Sequence, residues 1–284
     1  MDLILLLLIL LVLGPAAFLM YYVYSLDKIE KEPGSLLLKL FLFGALSTLV
    51  VIIPETISEA AIENFLKGIV NQELIVIILA FLGVGLVEEG AKFFFLKRLT
   101  WKDPSFNYRF DGIVYAVFVS LGFAAAENLL YFLQYGVGGA MARIFTAIPG
   151  HMGFAVFMGI YYSHAKICEV RGDSSGMKKN LWKALLVPMV LHGFYDSCAL
   201  TGTGMSTVIF FIFLIAMYVI VIKRLKKESA TDIPIFQSAG PAKLDVIDSV
   251  VVPDSAASAS ASKENAPAEK PDSSEKDDTL PKSF

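Results

Sequence analysis

The sequence predicts an all-α, polytopic membrane protein. Of its 284 residues, 56% are hydrophobic and only 18% are charged, and the mean hydropathy is +0.63, whereas a soluble domain is roughly 45–50% apolar. The apolar residues form runs of about 20 without the alternation of a β-strand, long enough to cross a hydrocarbon core of ~30 Å. Because backbone polar groups in lipid must be satisfied within their own segment, these runs are predicted to be helices.

About seven transmembrane helices are expected. The predicted spans cover residues 2–24, 36–54, 73–96, 111–135, 144–163, 182–200 and 205–222. Between the second and third spans, apolar residues recur at i, i+3, i+4 and i+7, from Ile62 to Ile69. This pattern is typical of a helix lying in the membrane interface. The first span has no positive charge before its apolar run, so we interpret it as retained rather than as a cleaved signal peptide.

The distribution of Lys and Arg predicts the orientation. Sixteen of them lie in the first, third and fifth connections and just after the last span, and only Lys67 and Arg143 lie on the opposite side. Since cytoplasmic loops carry the excess of positive charge, the N-terminus is expected outside and the C-terminus in the cytoplasm. Residues 1–224 are predicted to form the transmembrane domain. Residues 225–284, rich in Ala, Ser, Pro and charged residues, are predicted to form a disordered cytoplasmic tail, of which residues 229–284 are expected to be dispensable for function.

Ionisable residues inside the predicted spans point to a function, since each costs roughly 2.5–3.5 kcal/mol to insert. They lie near the middles of four spans, so with a rise of 1.5 Å per residue they fall within a slab of roughly 15 Å. One polar cavity could hold them all. They are Glu88, Glu89 and Lys92 in the third span, Glu127 in the fourth, His151 in the fifth, and His192 and Asp196 in the sixth.

Helical spacing narrows the roles of these residues. Lys92 shares a helix face with Glu88, whereas Glu88 and Glu89 point about 100° apart. Lys92 is therefore expected to neutralise one carboxylate and to leave the other as a base towards water. His192 can polarise that water or the tetrahedral oxygen, and Asp196, one turn later, can orient His192. The spacing does not decide which glutamate is the base.

The same residues resemble the motifs of the PrsW family of intramembrane proteases, which is related to the wider superfamily of CAAX-processing and Abi proteases. The resemblance covers about residues 20–222 and implies a multi-pass endopeptidase of the cell membrane. It also implies a membrane-anchored protein substrate, which in the best-known bacterial role is an anti-sigma factor in regulated proteolysis. The family pattern EExxK is met by Glu88 to Lys92, FxxxE by Phe123 to Glu127, HxxxD by His192 to Asp196, and a further element by Pro149-Gly150-His151.

Metal dependence is left open by the sequence. His192 and Asp196, with His151 or Glu127, could supply three N/O ligands of a catalytic Zn²⁺, with water in the fourth position. No HExxH motif is present, however. The Glu–Lys and His–Asp pairs can also satisfy each other without an ion, so a carboxylate-activated water is an equal alternative.

Other interpretations also stay open. Intramembrane Glu, His and Asp build ion and proton pathways, so a transporter or channel is one alternative, and a non-catalytic membrane scaffold is another.

Single residues also have alternative roles. Lys92 could snorkel to the interface, Glu127 could only bond a neighbouring helix, and His151 could simply begin a helix. Arg143 and Asp111 are expected to be interfacial. No basic face for nucleic acid is present, so the expected partners are the substrate and the lipid bilayer.

Overall fold

The computed structural model describes residues 3–236, with side chains from Leu10 onward. The predicted all-α fold class is confirmed for this range, which contains seven helices and no strand. Residues 237–284, most of the predicted tail, lie outside the described residues. The helices are α1 (Leu3–Leu26), α2 (Gly34–Leu66), α3 (Gln72–Thr100), α4 (Asp111–Phe145), α5 (Ala147–Val170), α6 (Ser174–Thr201) and α7 (Gly204–Ala230).

Five of the seven described helices are long and apolar enough to cross a membrane, namely α2, α3, α4, α6 and α7. The part of α1 from Leu10 to Leu26 is a shorter apolar helix. Helix α5 is not among these five and includes His151, Ser163, His164 and Lys166. The count of seven spans and the orientation of the termini therefore stay predictions.

Helix α2 extends further than the sequence indicated. Residues 55–66 continue α2 beyond Pro54, so they do not form a separate helix, and their position in the membrane interface stays a prediction. The hydroxyl of Ser58 lies 2.9 Å from the carbonyl oxygen of Glu55 and 3.2 Å from that of Gly83. The second contact connects the extended part of α2 to α3, and α2 thereby forms one wall of the bundle beside α3.

Glycines allow α2 and α4 to approach closely. A Cβ atom at Gly44 would lie 2.0 Å from the carbonyl oxygen of Val119, and one at Gly122 would lie 2.2 Å from that of Phe41. Both distances are far shorter than any van der Waals contact, so neither position accepts a larger residue unless the backbones separate. Small residues at such contacts are typical of helix packing in membranes.

The described part of the predicted tail is folded. Helix α7 continues to Ala230, and the residues after it pack against the connection between α3 and α4. The amide of Arg109 donates to the carbonyl of Ile233 at 3.1 Å, and the amide of Ile235 donates to that of Asn107 at 2.7 Å. The side chain of Ile235 is fully buried. The structure therefore places residues 225–235 with the helical domain, whereas the sequence placed them in the tail.

Candidate active site

The ionisable residues singled out in the sequence meet in the interior of the bundle. A cavity of about 440 Å³ is lined by side chains from α2, α3, α4, α5 and α6. Five of the predicted residues line it directly, and Glu89 and Lys92 lie fully buried behind its wall. The residues that line it are Glu88, Glu127, His151, His192 and Asp196.

Helix α3 presents its two glutamates directly after a π-helical stretch, Leu79–Gly85. Such stretches are rare and occur frequently at functional sites, because the extra residue in the turn shifts every later side chain around the helix. The stretch also packs tightly on α6, where a Cβ atom at Gly193 would lie 2.6 Å from the ring of Phe81. Helices α3 and α6 are therefore close enough for Glu88 and Glu89 to reach the histidine on α6.

Lys92 lies at the centre of the polar cluster. Its Nζ atom is 2.9 Å from Oε2 of Glu88, 2.8 Å from Oε1 of Glu89 and 3.2 Å from Nδ1 of His151. It also lies 3.9 Å from the ring centroid of Phe123. Because the side chain is fully buried, Lys92 does not snorkel. The expectation that it neutralises only one glutamate is wrong, since its long side chain reaches both carboxylates.

The His192 ring is held on both nitrogens. Its Nδ1 atom lies 3.0 Å from Oε1 of Glu89, and its Nε2 atom lies 3.3 Å from Oδ2 of Asp196. The ring of Phe154 stacks on it with centroids 4.9 Å apart. Carboxylates on both sides and an aromatic ring on one face give the imidazole a single orientation, with Asp196 in the orienting position that the spacing predicted.

Arg143 is the residue of this site that the sequence reasoning missed. Its guanidinium lies 2.5 Å from Oε2 of Glu127 and 3.9 Å from the ring centroid of Tyr131. Sixteen residues of straight helix would separate Glu127 from Arg143 by about 24 Å. Helix α4 is interrupted at Gly136, where φ is +70°, and the chain after this kink returns towards the cavity. The prediction of an interfacial Arg143 is therefore wrong.

Glu127 connects Arg143 to His151. Its Oε2 atom lies 3.1 Å from Nε2 of His151, whose Nδ1 atom faces Lys92. His151 is buried in the second turn of α5. A carboxylate on one ring nitrogen fixes the tautomer and the orientation of the ring. Glu127 and His151 thus both belong to the polar cluster that lines the cavity.

Four buried donors could hold a metal ion. One ligand atom each from Glu88, Glu89, His151 and His192 lies within 4.8 Å of the others. Two carboxylates and two imidazoles form a donor set that suits zinc. Oε2 of Glu89 is buried without a hydrogen-bond partner among the described residues, and a cation would satisfy it. The residues therefore fit a metal. Asp196, one of the predicted ligands, is not in this group because it faces the other nitrogen of His192.

Comparison with known proteins identifies the family of the chain. A family model described as "PrsW family intramembrane metalloprotease" matches residues 32–222, which hold every residue of the cluster. The chain belongs to the PrsW family. It is thus a multi-pass membrane protein and an intramembrane protease by family, and the resemblance inferred from the motifs is confirmed.

Curated relatives cover the same region. The chain is 34% identical to "Protease PrsW" of Oceanobacillus iheyensis over 221 residues, which are 78% of this chain and 95% of that protein. It is 36% identical to "Protease PrsW" of Geobacillus kaustophilus over 183 residues, or 64% and 75% of the two chains. It is 32% identical to that of Clostridioides difficile over 228 residues, or 78% and 90%. No solved structure matches the chain.

The two adjacent glutamates of this PrsW-family protein occupy different positions. Glu88 contributes to the cavity surface, whereas the side chain of Glu89 is fully buried between Lys92 and His192. Only Glu88 can therefore meet a substrate without a rearrangement of the cluster. This is the distinction that helical spacing alone could not make.

Proposed function

We propose that this protein hydrolyses a peptide bond of a membrane-anchored protein, with Glu88 as the base that activates the attacking water. The observation that carries the proposal is the exposure of Glu88 to a cavity in the bundle interior, while Lys92, which is also paired with Glu89, holds it from behind. A carboxylate in a dry cavity can take a proton from water far more readily than one surrounded by solvent.

The reaction needs a base, a group that stabilises the oxyanion and a proton donor for the leaving amine. Glu88 takes a proton from water as the water oxygen bonds to the carbonyl carbon and the π electrons move to the carbonyl oxygen. That electron pair then re-forms the carbonyl as the C–N bond breaks. The proton on Glu88 passes to the leaving nitrogen, so the products are a carboxylic acid and an amine.

The remaining residues position these groups. His192 lines the cavity on its α6 side, where its imidazole can polarise the attacking water or the developing oxyanion, and Glu127 and Lys92 hold His151 on the α5 side. Glu89 holds His192 at 3.0 Å and Lys92 at 2.8 Å. The buried ammonium of Lys92 offsets one of the two negative charges of the glutamates, which lowers the cost of keeping them in the interior.

A zinc ion would be held by Glu89, His151 and His192, with Glu88 free for proton transfer. When bound, such an ion polarises a carbonyl and acidifies a water molecule. The zinc content of purified protein tests this assignment, because His151→Ala and His192→Ala should each reduce it and Glu63→Gln, at an exposed position of α2, should not. Equal zinc content in all four proteins would contradict these ligands.

The apolar part of the cavity wall favours a substrate that lies in the bilayer. The cavity wall includes Ile52 of α2 and Leu130 and Tyr131 of α4, apolar side chains that remain partly exposed on the bundle surface. We propose that a polypeptide segment enters the cavity from lipid past these side chains. By the family resemblance, we propose an anti-sigma factor in regulated proteolysis as the substrate.

The experiment compares newly formed protein N-termini in membranes of cells that produce the wild type, Glu88→Gln or the control Glu63→Gln. We expect cleaved membrane-anchored proteins with the wild type and the control, and none with Glu88→Gln. Identical N-termini in all three strains would contradict peptidase activity, and would favour a scaffold or a transport protein.

A further inference from the structure

A second cavity lies at the other end of α3. It has a volume of about 960 Å³ and is formed by the first turns of α2, the last turns of α3 and the connection that follows α3. It lies about 13 Å further along the helix axis than Glu88, and it shares no lining residue with the candidate active site. We refer to it as the basic groove, after its four cationic side chains, Lys39, Lys97, Arg98 and Lys102.

The cations of the basic groove have no anionic partner among residues 10–236. None of the four side chains forms an ion pair or a hydrogen bond with a described residue, and all four residues are exposed. Lys97 lies over the ring of Trp101, 5.8 Å from its centroid. Asp103 is the one acidic residue in the lining, and its Oδ1 atom accepts the amide of Ser105. Four positive charges less one negative charge leave the groove with a net charge of +3.

Aromatic rings form the apolar side of the basic groove. Phe94 is 60% exposed, and its ring contacts that of Phe95 edge to face at 5.3 Å. Trp101 is fixed in place, because its Nε1 atom donates to Glu169 and its carbonyl accepts Nζ of Lys166, both at 2.9 Å. The groove therefore combines an aromatic wall with an exposed cationic rim.

From this combination we propose that the basic groove binds an anionic glycerophospholipid, with the phosphate among the cations and an acyl chain along the aromatic wall. The depth of the groups matches such a ligand, because Lys97 and Arg98 lie in the last turn of α3 and Phe94 lies one turn deeper. Basic pockets between helix ends bind anionic head groups in membranes, and aromatic rings favour the same interfacial level. A soluble anion would use the rim alone.

The test uses the full chain, purified in detergent and placed in nanodiscs of phosphatidylcholine with a titrated fraction of phosphatidylglycerol. Bound phosphatidylglycerol is measured by native mass spectrometry. The groove variant is Lys39→Gln/Arg98→Gln/Lys102→Gln. The control variant Lys223→Gln/Arg224→Gln/Lys226→Gln removes the same charge from exposed positions on the last turns of α7. Thermal unfolding of both variants checks that they fold like the wild type.

We expect the groove variant to bind phosphatidylglycerol about 10- to 100-fold more weakly and the control variant to bind it within twofold of the wild type. Equal losses in both variants would show general surface attraction and overturn the proposal. Displacement of the lipid by inorganic phosphate would show a soluble-anion site and also overturn it. A chain ending at Phe236 should bind phosphatidylglycerol as the wild type does. Tighter binding by the shortened chain would show that the acidic residues after 236 occupy the groove, and would overturn the proposal.

Discussion

The Nζ atom of Lys92 lies 3.2 Å from Nδ1 of His151, although 59 residues separate them in the chain. An ammonium group can only donate, so Nδ1 accepts and the ring hydrogen is on Nε2, which faces Glu127. His151 is thereby fixed from both sides. A continuous network runs from Arg143 through Glu127, His151 and Lys92 to the two glutamates.

This network predicts that Arg143 acts through Glu127. Arg143→Gln should lower cleavage by roughly 10- to 100-fold, because Glu127 loses the partner that directs it towards His151. Arg143→Lys should retain part of the activity, and Arg171→Gln, at an exposed position after α5, should retain all of it. The double variant Glu127→Gln/Arg143→Gln should be no slower than Glu127→Gln alone. Additive losses in kcat would show that Arg143 acts independently of Glu127.

The kink in α4 predicts a specific need for glycine. Gly136 has a φ of +70°, whereas Gly138 has open space around it and no positive φ. Gly136→Ala should destabilise the protein by about 1–3 kcal/mol and should also reduce cleavage, since Arg143 is carried by the segment after the kink. Gly138→Ala is the matched control. Equal thermal unfolding and equal cleavage for the two variants would contradict a structural role of the kink.

The folded residues after α7 predict where the chain can be shortened. A chain ending at Phe236 should unfold and cleave as the full chain does. A chain ending at Glu228 loses Ile235, whose burial alone contributes about 1.5–3 kcal/mol, and the contacts of residues 231–235 with the α3–α4 connection. Thermal unfolding in detergent measures the difference. Equal stability of the two shortened chains would contradict this boundary.

The connection between α1 and α2 predicts a pH dependence of stability. Burial raises the pKa of the Glu32 carboxyl to about 7 and that of Asp27 to about 6. Both groups favour the folded state when protonated, so their contribution is complete below their unfolded pKa values, near 4, and is lost as the pH rises through about 7. Glu32→Gln should therefore raise the unfolding temperature at pH 8 and leave it almost unchanged at pH 4. The exposed Glu63→Gln should show no such difference, and the same pH profile for both variants would contradict the assignment.

Much of the site followed from the sequence, because it depends on spacing within single helices. The pairs Glu88–Lys92 and His192–Asp196 are each one turn apart, and their contacts appear at 2.9 and 3.3 Å. Arg143 depends instead on a break in a helix. The glycines at 136, 138 and 139 within an apolar run were the available signal, since glycine lowers helix stability and often marks a break.

Two further features could not be predicted from the sequence. They are the contacts of a long flexible side chain and the packing of the residues after α7. Lys92 contacts both glutamates because its four methylene groups let the ammonium reach either carboxylate. Helical periodicity does not predict this reach. Ile233 and Ile235 are apolar residues within a polar stretch, a weak pattern whose meaning appears only when the α3–α4 connection provides a partner. The different surroundings of Glu88 and Glu89 likewise arise from the packing of α3 against α6.

The kinetics of three single substitutions test the central claim that Glu88 activates water while Glu89 and His192 hold the site. Purified Glu88→Gln, Glu89→Gln and His192→Ala are compared with the wild type on one membrane-anchored substrate in proteoliposomes, with insertion and thermal unfolding checked for each. We expect each substitution to lower cleavage by ~10²–10⁴-fold, with Glu63→Gln unchanged. Near-normal turnover by a folded Glu88→Gln protein would contradict the account.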